Sequence, residues 1–384
     1  MSQNGHPKIV LFSGGTACRS INLALCRRPF HLTRVVPAWD SGGSSKVIRE
    51  TFGVLSVGDI RQALMTMAYG EGCAGDVVKI CNARLSDGTG SADARTEFEY
   101  YADGRHPLLE RMEPGLRSAI LNYLRTFSSR IGDRFDFRNG SIGNFILTGA
   151  YLAHNNDINT AIFVFRKLCG ITGNVWPSSN QNGIELTATL KNDRIIPQQH
   201  LITALSDEDA RAGIREIDLS IAASTDIAVR ANEAVIEAIE KADAIVFGPG
   251  SFYSSILPHL LIHGVVPAIA RNRNALKILI GNILQCRETR GDNLSVLVGL
   301  FREVWSRNGG KGKRPLSHVV ANRELFPFEK TIGSFPYLAN GALDETSRKI
   351  RADVLIGEYE DAWQRGQHDG EAIANTLTGL LSRA

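Results

Sequence analysis

The first forty residues constrain the fold more than any other part of the chain. Lys8–Ser13 (KIVLFS) is a short apolar run of strand length. Gly14, Gly15 and Thr16 follow at once, and then a helical stretch to Arg27 with apolar Ile21, Leu23, Ala24 and Leu25. Thr33–Trp39 reads as a second strand. Strand, tight glycine turn, helix and strand, in that order, begin a doubly wound α/β sheet with mostly parallel strands.

The alternation returns downstream. Helices are expected over Ile142–Ala153, Ile158–Leu168, Ala228–Lys241, Leu294–Trp305 and near Glu371–Leu381. Strands are expected at Gly173–Trp176, Ala244–Phe247, Ala268–Ala270, Ile278–Ile280 and His318–Ala321. Gly183–Leu190 alternates apolar and polar residues, as a half-exposed antiparallel strand does. Between helices at Val77–Leu85 and Leu116–Phe127 lies a loop-like stretch, Ser86–Asp93 (SDGTGSAD). The expected layout is therefore residues 1–69 as the first part of a nucleotide-binding core, 70–138 as a helical insertion or lid, 139–320 as the rest of the core, and 321–384 as a C-terminal extension.

Composition removes several classes of function. The formal charge is only +3 and no long Lys/Arg-rich run stands out, which argues against nucleic acid as a partner. The six cysteines form no CxxC pair, so they read as reduced thiols of a cytoplasmic protein. Ala244–Ala270 lacks Asp, Glu, Lys and Arg, but Pro249, Pro258 and Pro267 break it into pieces too short for a membrane helix. The N-terminus shows no charged lead followed by a long apolar core, so no signal peptide is read.

Chemistry concentrates in glycine loops and acids. Gly14, Gly15 and Thr16 join a strand to a helix, as do Gly248, Pro249, Gly250 and Ser251. Backbone N–H groups in such turns, with the positive end of a helix behind them, suit an anion, and an ordinary tight turn explains each loop alone equally well. The two loops are expected to converge on one crevice at the carboxyl ends of the strands. Val36–Leu64 (VPAWDSGGSSKVIRETFGVLSVGDIRQAL) sets Asp40 before a Gly42-Gly43-Ser44 turn and Asp59 at a helix start. Asp40 is a candidate metal or ligand contact; Asp59 could equally be a helix cap. Arg138–Asn144 (RNGSIGN), with Asn282, Gln285, Glu288 and Thr289 in NILQCRET, offers amides for a base or ribose edge and a carboxylate for a hydroxyl, though caps and turns explain them as well. His259 and His263 stand four apart without the zincin glutamate and read as ordinary histidines, and Lys311–Arg314 (KGKR) as a solvated loop.

Four blocks carry a resemblance. VVPAWDSGGSSKVIRETFGVLSVGDIRQAL, GSIGNFILTGAYL, ADAIVFGPGSFYSSILPHLL and NILQCRET resemble successive signatures of the CofD-like superfamily, between about Lys8 and Val304. That superfamily includes 2-phospho-L-lactate transferase and the YvcK-type gluconeogenesis factors, and the chain is similar to the CofD-related protein of the GAK system. The resemblance implies a Rossmann-like core, often a homodimer, that takes a GDP- or UDP-linked nucleoside diphosphate. In the transferase branch an acceptor hydroxyl attacks the β-phosphorus of the activated donor and a nucleoside monophosphate leaves, with Mg2+ neutralising charge on the phosphates. Carried onto this chain, the metal positions and the catalytic acids fall on Asp40 and Asp59. The phosphate loops fall on Gly14–Thr16 and Gly248–Ser251, and Asn144 contacts the ligand. In the YvcK-like branch the ligand is a UDP-sugar and the protein a regulator. Two departures matter: the pair of acids the family places before the glycines is Asp40-Ser41 here, and Trp39 replaces a small or polar residue. The leading expectation is a magnesium-dependent phospho-group transferase; the alternative is a non-catalytic UDP-sugar-binding regulator.

Overall fold

The computed structural model describes the chain apart from residues 1–4, 16–17, 70–71, 89, 134, 222–226, 324–327, 329 and 384 and the side chain of Ser44. Thr16 thus lies outside the described residues. The strands are β1 (Lys8–Phe12), β2 (His31–Val36), β3 (Asn174–Pro177), β4 (Ile184–Leu190), β5 (Ile195–Pro197) and β6 (Ile214–Ile221). They continue with β7 (Ala244–Phe247), β8 (Leu276–Ile280), β9 (His318–Asn322), β10 (Thr331–Ile332), β11 (Phe335–Pro336) and β12 (Asp353–Gly357). The chain forms two compact units, Met1–Trp39 with Trp176–Ala384, and Asp40–Val175.

The first unit is a Rossmann-like α/β core. Its sheet has the order β12-β9-β8-β7-β1-β2-β3. Every pairing from β12 through to β2 is parallel. The chain runs outward from β1 to β2 on one side and from β7 to β8, β9 and β12 on the other, so strand order reverses between β1 and β7. In β7 all four residues are buried, as a strand covered on both faces requires. A second sheet, β5-β4-β6, is antiparallel, and the alternating burial of β4 matches its alternating sequence.

Helix α1 (Arg19–Cys26) follows the first glycine turn. The helices of the second unit are α2 (Gly43–Phe52), α3 (Gly58–Met67), α4 (Gly75–Asn82), α5 (Ser91–Ala102), α6 (Pro107–Glu110), α7 (Pro114–Ser128), α8 (Ile142–Ala153) and α9 (Ile158–Cys169). Those of the first unit resume with α10 (Gln199–Thr203), α11 (Asp207–Ala212), α12 (Glu233–Glu240), α13 (Val265–Arg271), α14 (Leu294–Trp305), α15 (Leu343–Ile350) and α16 (Gly370–Leu381). Asp369 caps α16 by accepting from the N–H groups of Glu371 and Ala372, and α16 packs along α1. Arg28, just beyond α1, ties the pair by donating to Glu371, Asn375 and Thr378.

Two local expectations fail. Ala268–Ala270 is not a strand but lies within α13, whose Pro267 falls in the first helical turn, where proline costs no hydrogen bond. Gly42-Gly43-Ser44 is not a free-standing turn but the start of α2, with Gly42 as its N-cap.

The second unit is helical and centred on aromatic rings. Phe98, Phe127, Phe137 and Phe145 are almost wholly buried, and Phe127 stacks on Phe145 with centroids 4.7 Å apart. Two glycines of α8 set how near its neighbours come. A Cβ on Gly149 would sit 1.9 Å from the Tyr123 carbonyl oxygen of α7, and one on Gly143 2.2 Å from that of Cys81 in α4. The GSIGNFILTGAYL block is therefore a packing surface in large part.

Candidate functional site

In the first unit, both glycine loops leave the sheet where strand order reverses. The Gly248 N–H donates to Phe12 O of β1 at 2.8 Å, and the Ser13 N–H to Val35 O of β2 at 3.2 Å. A Cβ on Gly250 would lie 3.4 Å from the Gly14 nitrogen, so the loops run side by side. Gly14 also abuts Ser255, whose Oγ would be 3.0 Å from a Cβ there.

Each loop is braced from within the core. Arg34 of β2 is fully buried, and its Nη2 donates to Ser13 Oγ and to Gly14 O, both at 2.7 Å. Gly248 holds φ +81°, and a Cβ would come within 2.9 Å of Ile280 O, so both backbone shape and space demand glycine. Asn282 accepts from the Gly250 N–H at 3.0 Å and donates through Nδ2 to Gly250 O at 2.8 Å. Its amide is spent on clamping the loop rather than on reading a base.

The turn beginning at Ser251 meets an internal anion. Glu288, 2 % exposed, accepts from the Ser254 N–H at 3.0 Å and from the Ser254 hydroxyl at 2.6 Å. The Ser251 hydroxyl and the Tyr253 backbone also donate to it. Burial pushes its carboxyl up to about 7, against the pull of these donors. Next to it the Tyr253 hydroxyl donates to Asp292, whose carboxyl burial also raises. The NILQCRET acid therefore serves as a cap, holding the place at this helix start that an incoming phosphate would otherwise take.

A cavity of about 430 Å³ opens beside these loops, lined by Pro249, Gly250, Ser251, Asn282 to Cys286, Arg19 and Ser20, and by Phe335 and Gly366 to His368. The last four belong to the tail, which sequence reasoning did not connect with the site. His368 is held there by its ring Nε2, 3.0 Å from Gly281 O, and by its own carbonyl, which accepts from the Ser20 hydroxyl at 2.8 Å. Burial takes its imidazole down to about 4. His259 is wholly buried, with ring centroids 5.0 Å from Phe12 and 5.2 Å from Trp39, and burial lowers it to about 3. It is a neutral core residue, and His263 is exposed.

The remaining sequence candidates lie in the second unit. Asp40 Oδ1 accepts from the Gly42 N–H at 3.0 Å and Oδ2 from the Ser56 hydroxyl at 3.2 Å. A Cβ on Gly58 would lie 2.9 Å from Asp40 Oδ2 and closer still to Ser45 Oγ, which explains the glycine of GDIR. Asp59 is not the N-cap, which is Val57, but an acid in the first turn of α3 that favours the charge of Arg61. Arg61 is buried, burial draws it down to about 10, and its Nε donates to Asn144 Oδ1 at 3.2 Å. Gly43, at φ +50°, is the first residue of α2, and Ser44 follows it. Among the described residues no group of three or more His, Cys, Asp or Glu could hold a metal.

A family model described as 2-phospho-L-lactate transferase CofD matches residues 9–339. The gluconeogenesis factor of Listeria monocytogenes is 28% identical over 390 residues, covering 99% of this chain and 98% of that protein. The gluconeogenesis factor of Halalkalibacterium halodurans is 26% identical over 284 residues, covering 74% and 69%. A solved structure of a UPF0052 family member from Bacillus halodurans superposes with a TM-score of 0.69 at 20% identity, covering 98% of this chain and 99% of that one, which shows a shared fold. The chain belongs to the CofD family.

Proposed function

From that membership we propose that the chain binds a nucleoside diphosphate derivative in the crevice of its first unit and moves a phospho-group from it to an alcohol. The observation that supports binding is the pairing of the Gly14 and Gly250 backbones between β1 and β7, where a doubly wound sheet changes direction. Ligands of such sheets gather at that point. Of the two loops, the first is the better phosphate seat. It leads into α1, and Arg19 lines the same cavity, whereas the donors after Ser251 already serve Glu288. About 430 Å³ leaves room for a nucleoside beyond the phosphates.

A magnesium ion would fall on Asp40 and Asp59 of the second unit. Asp40 fits that duty, because each oxygen accepts one hydrogen bond and keeps a lone pair. Magnesium in phosphoryl chemistry is usually held by one or two carboxylates, with water and phosphate oxygens completing its sphere. When bound, it supplies charge neutralisation for a departing nucleoside monophosphate. The chain's own contribution is orientation: Arg34 and Asn282 fix the two loops, and Glu288 holds the turn after Ser251.

A regulator that binds a nucleotide sugar without transfer is the second reading. It is favoured by near-full-length similarity to a gluconeogenesis factor and by Ser41 in place of a second acid. Calorimetry with GDP, UDP, UDP-N-acetylglucosamine and NAD, with and without magnesium, tests binding; no response to any nucleoside diphosphate removes both readings. Release of a nucleoside monophosphate that needs both magnesium and an acceptor alcohol identifies the transferase. In that case Asp40→Asn lowers turnover by more than about a hundredfold, with a much smaller change in nucleotide affinity. A variant that alters affinity alone, with no monophosphate from the parent protein, identifies the regulator.

A further inference from the structure

The amino ends of β8 and β9 carry a second cavity, of about 270 Å³, which the nucleotide reading does not use. Arg273, Lys277, Lys313 and Arg314 line it, with Ser317 and only small residues besides. No carboxylate is in the lining. The KGKR segment is an exposed loop, as its sequence suggests, and it also forms one wall of this concavity.

Two of the four cations are fixed. Lys277 is 8 % exposed, and its Nζ donates to Asn272 O at 2.9 Å, a carbonyl just past α13. Its backbone N–H donates to Ser317 Oγ at 2.8 Å, and Ser317 Oγ donates back to Lys277 O at 2.9 Å, so the cavity floor is cross-braced. Arg314 folds over its own loop, with Nε donating to Leu316 O and Nη2 to Ser317 O, both at 3.0 Å. Arg273 and Lys313 are exposed, and among the described residues their side chains make no hydrogen bond or ion pair. Asp353, whose backbone N–H donates to Ser317 O, faces His318 at 3.8 Å instead. Other cations in this part of the fold are paired: Arg271 with Glu240, Lys241 with Glu237, Arg307 with Glu303.

Four positive groups around one small concavity repel each other and focus a field into it, and an anion is what relieves both. Burial and the Arg314 charge already draw the Lys277 ammonium below its usual range. The arginine forks and the lysine ammonium suit a phosphate or a similar oxyanion. The volume falls just below that of pockets for drug-sized ligands, which favours a small ligand over a whole nucleotide sugar. β8 has five residues, so this cavity lies roughly 15 Å from the crevice at its other end.

We propose that this cavity is a second ligand site, which binds a small phosphate-bearing metabolite through Arg273, Lys277, Lys313 and Arg314. The test is calorimetry of the full chain at low salt, with glycerol 3-phosphate and inorganic phosphate as probes. Arg273→Glu with Lys313→Glu changes only exposed side chains and should leave the thermal midpoint in place while weakening glycerol 3-phosphate at least tenfold. Asn282→Ala, at the opposite end of the strands, should leave that affinity unchanged. Absence of binding by the parent protein overturns the proposal, as does unchanged affinity in the double variant. An equal loss on reversing Arg211 and Arg302, exposed cations outside the cavity, also overturns it, because the effect is then one of net charge. An ester that binds no tighter than inorganic phosphate overturns the assignment to a metabolite.

Discussion

The two ends of the central strands are built on opposite plans. At the carboxyl ends of β1, β7 and β8, the buried charged groups of the loops are met by hydrogen bonds within the protein. Arg34 is tied to Ser13 and Gly14, and Glu288 to Ser254. At the amino ends of β8 and β9, four cations share one concavity that no acid lines. On the proposed function, the first arrangement would select its ligand by backbone shape. The proposed second site would select by charge, and its strength should depend on what else is dissolved around it. A parallel sheet makes the difference available, because it sends all its loops of one kind to one edge and all those of the other kind to the opposite edge.

The largest expected effect tests whether backbone shape governs the carboxyl end. Gly248→Ala puts a Cβ where φ is +81° and a carbonyl oxygen would be 2.9 Å away. It should cost about 3 kcal/mol of stability and abolish nucleotide binding. A denaturation midpoint within experimental error of the parent would break the shape argument.

Glu288→Gln tests whether the charge at this end is truly neutralised. A carboxyl raised to about 7 binds more protons in the folded state than in the unfolded chain at pH values above its ordinary 4.5. Its stabilising contribution is therefore fully present below pH 4.5 and is lost as pH rises through 7, and the glutamine variant should lack that slope. At pH 8 the variant should be more stable by about 2 kcal/mol and bind nucleotide more tightly. Parallel stability curves from pH 4.5 to 8 would show that the surrounding donors offset burial completely.

Asn282→Ala removes two hydrogen bonds from Gly250 and should cost about 1–2 kcal/mol. Nucleotide affinity should fall about tenfold. Loss of phosphate-ester binding at the other end would mean that the two ends are not independent. The smallest effect is that of salt. Raising ionic strength should weaken the ester severalfold while leaving nucleotide affinity within about twofold, since buried and backbone contacts are screened least.

What could be read from the chain depended on sequence distance. β1, its glycine turn and α1 were legible because an apolar run, two glycines and a helical stretch sit next to each other within twenty residues. The strand at His318 and the helix ending at Leu381 were legible for the same local reason. α2 was not, because Gly43, Ser44, Ser45 and Lys46 start it with no capping side chain and look like a turn. Glu288 was visible as a carboxylate, but its partner lies 34 positions earlier, so cap and ligand contact could not be separated. Lys313 and Arg314 are exposed as they look in the sequence, but the cavity they share was not legible, because its buried member, Lys277, lies far earlier in the chain beside the expected strand Ile278–Ile280. Arg34 left only a faint trace, a single arginine inside HLTRVV.

The tail gives the crevice a temporal property. Gly14, Gly250 and Asn282 are all made before the residues that close the cavity, which is also walled by Phe335 and by Gly366 to His368, with α16 braced along α1. A nascent chain that has not yet reached Phe335 holds both loops without the enclosure. On the proposed function, a nucleotide should therefore be held only once the chain through α16 has been made, so that occupancy depends on chain elongation as well as on ligand supply.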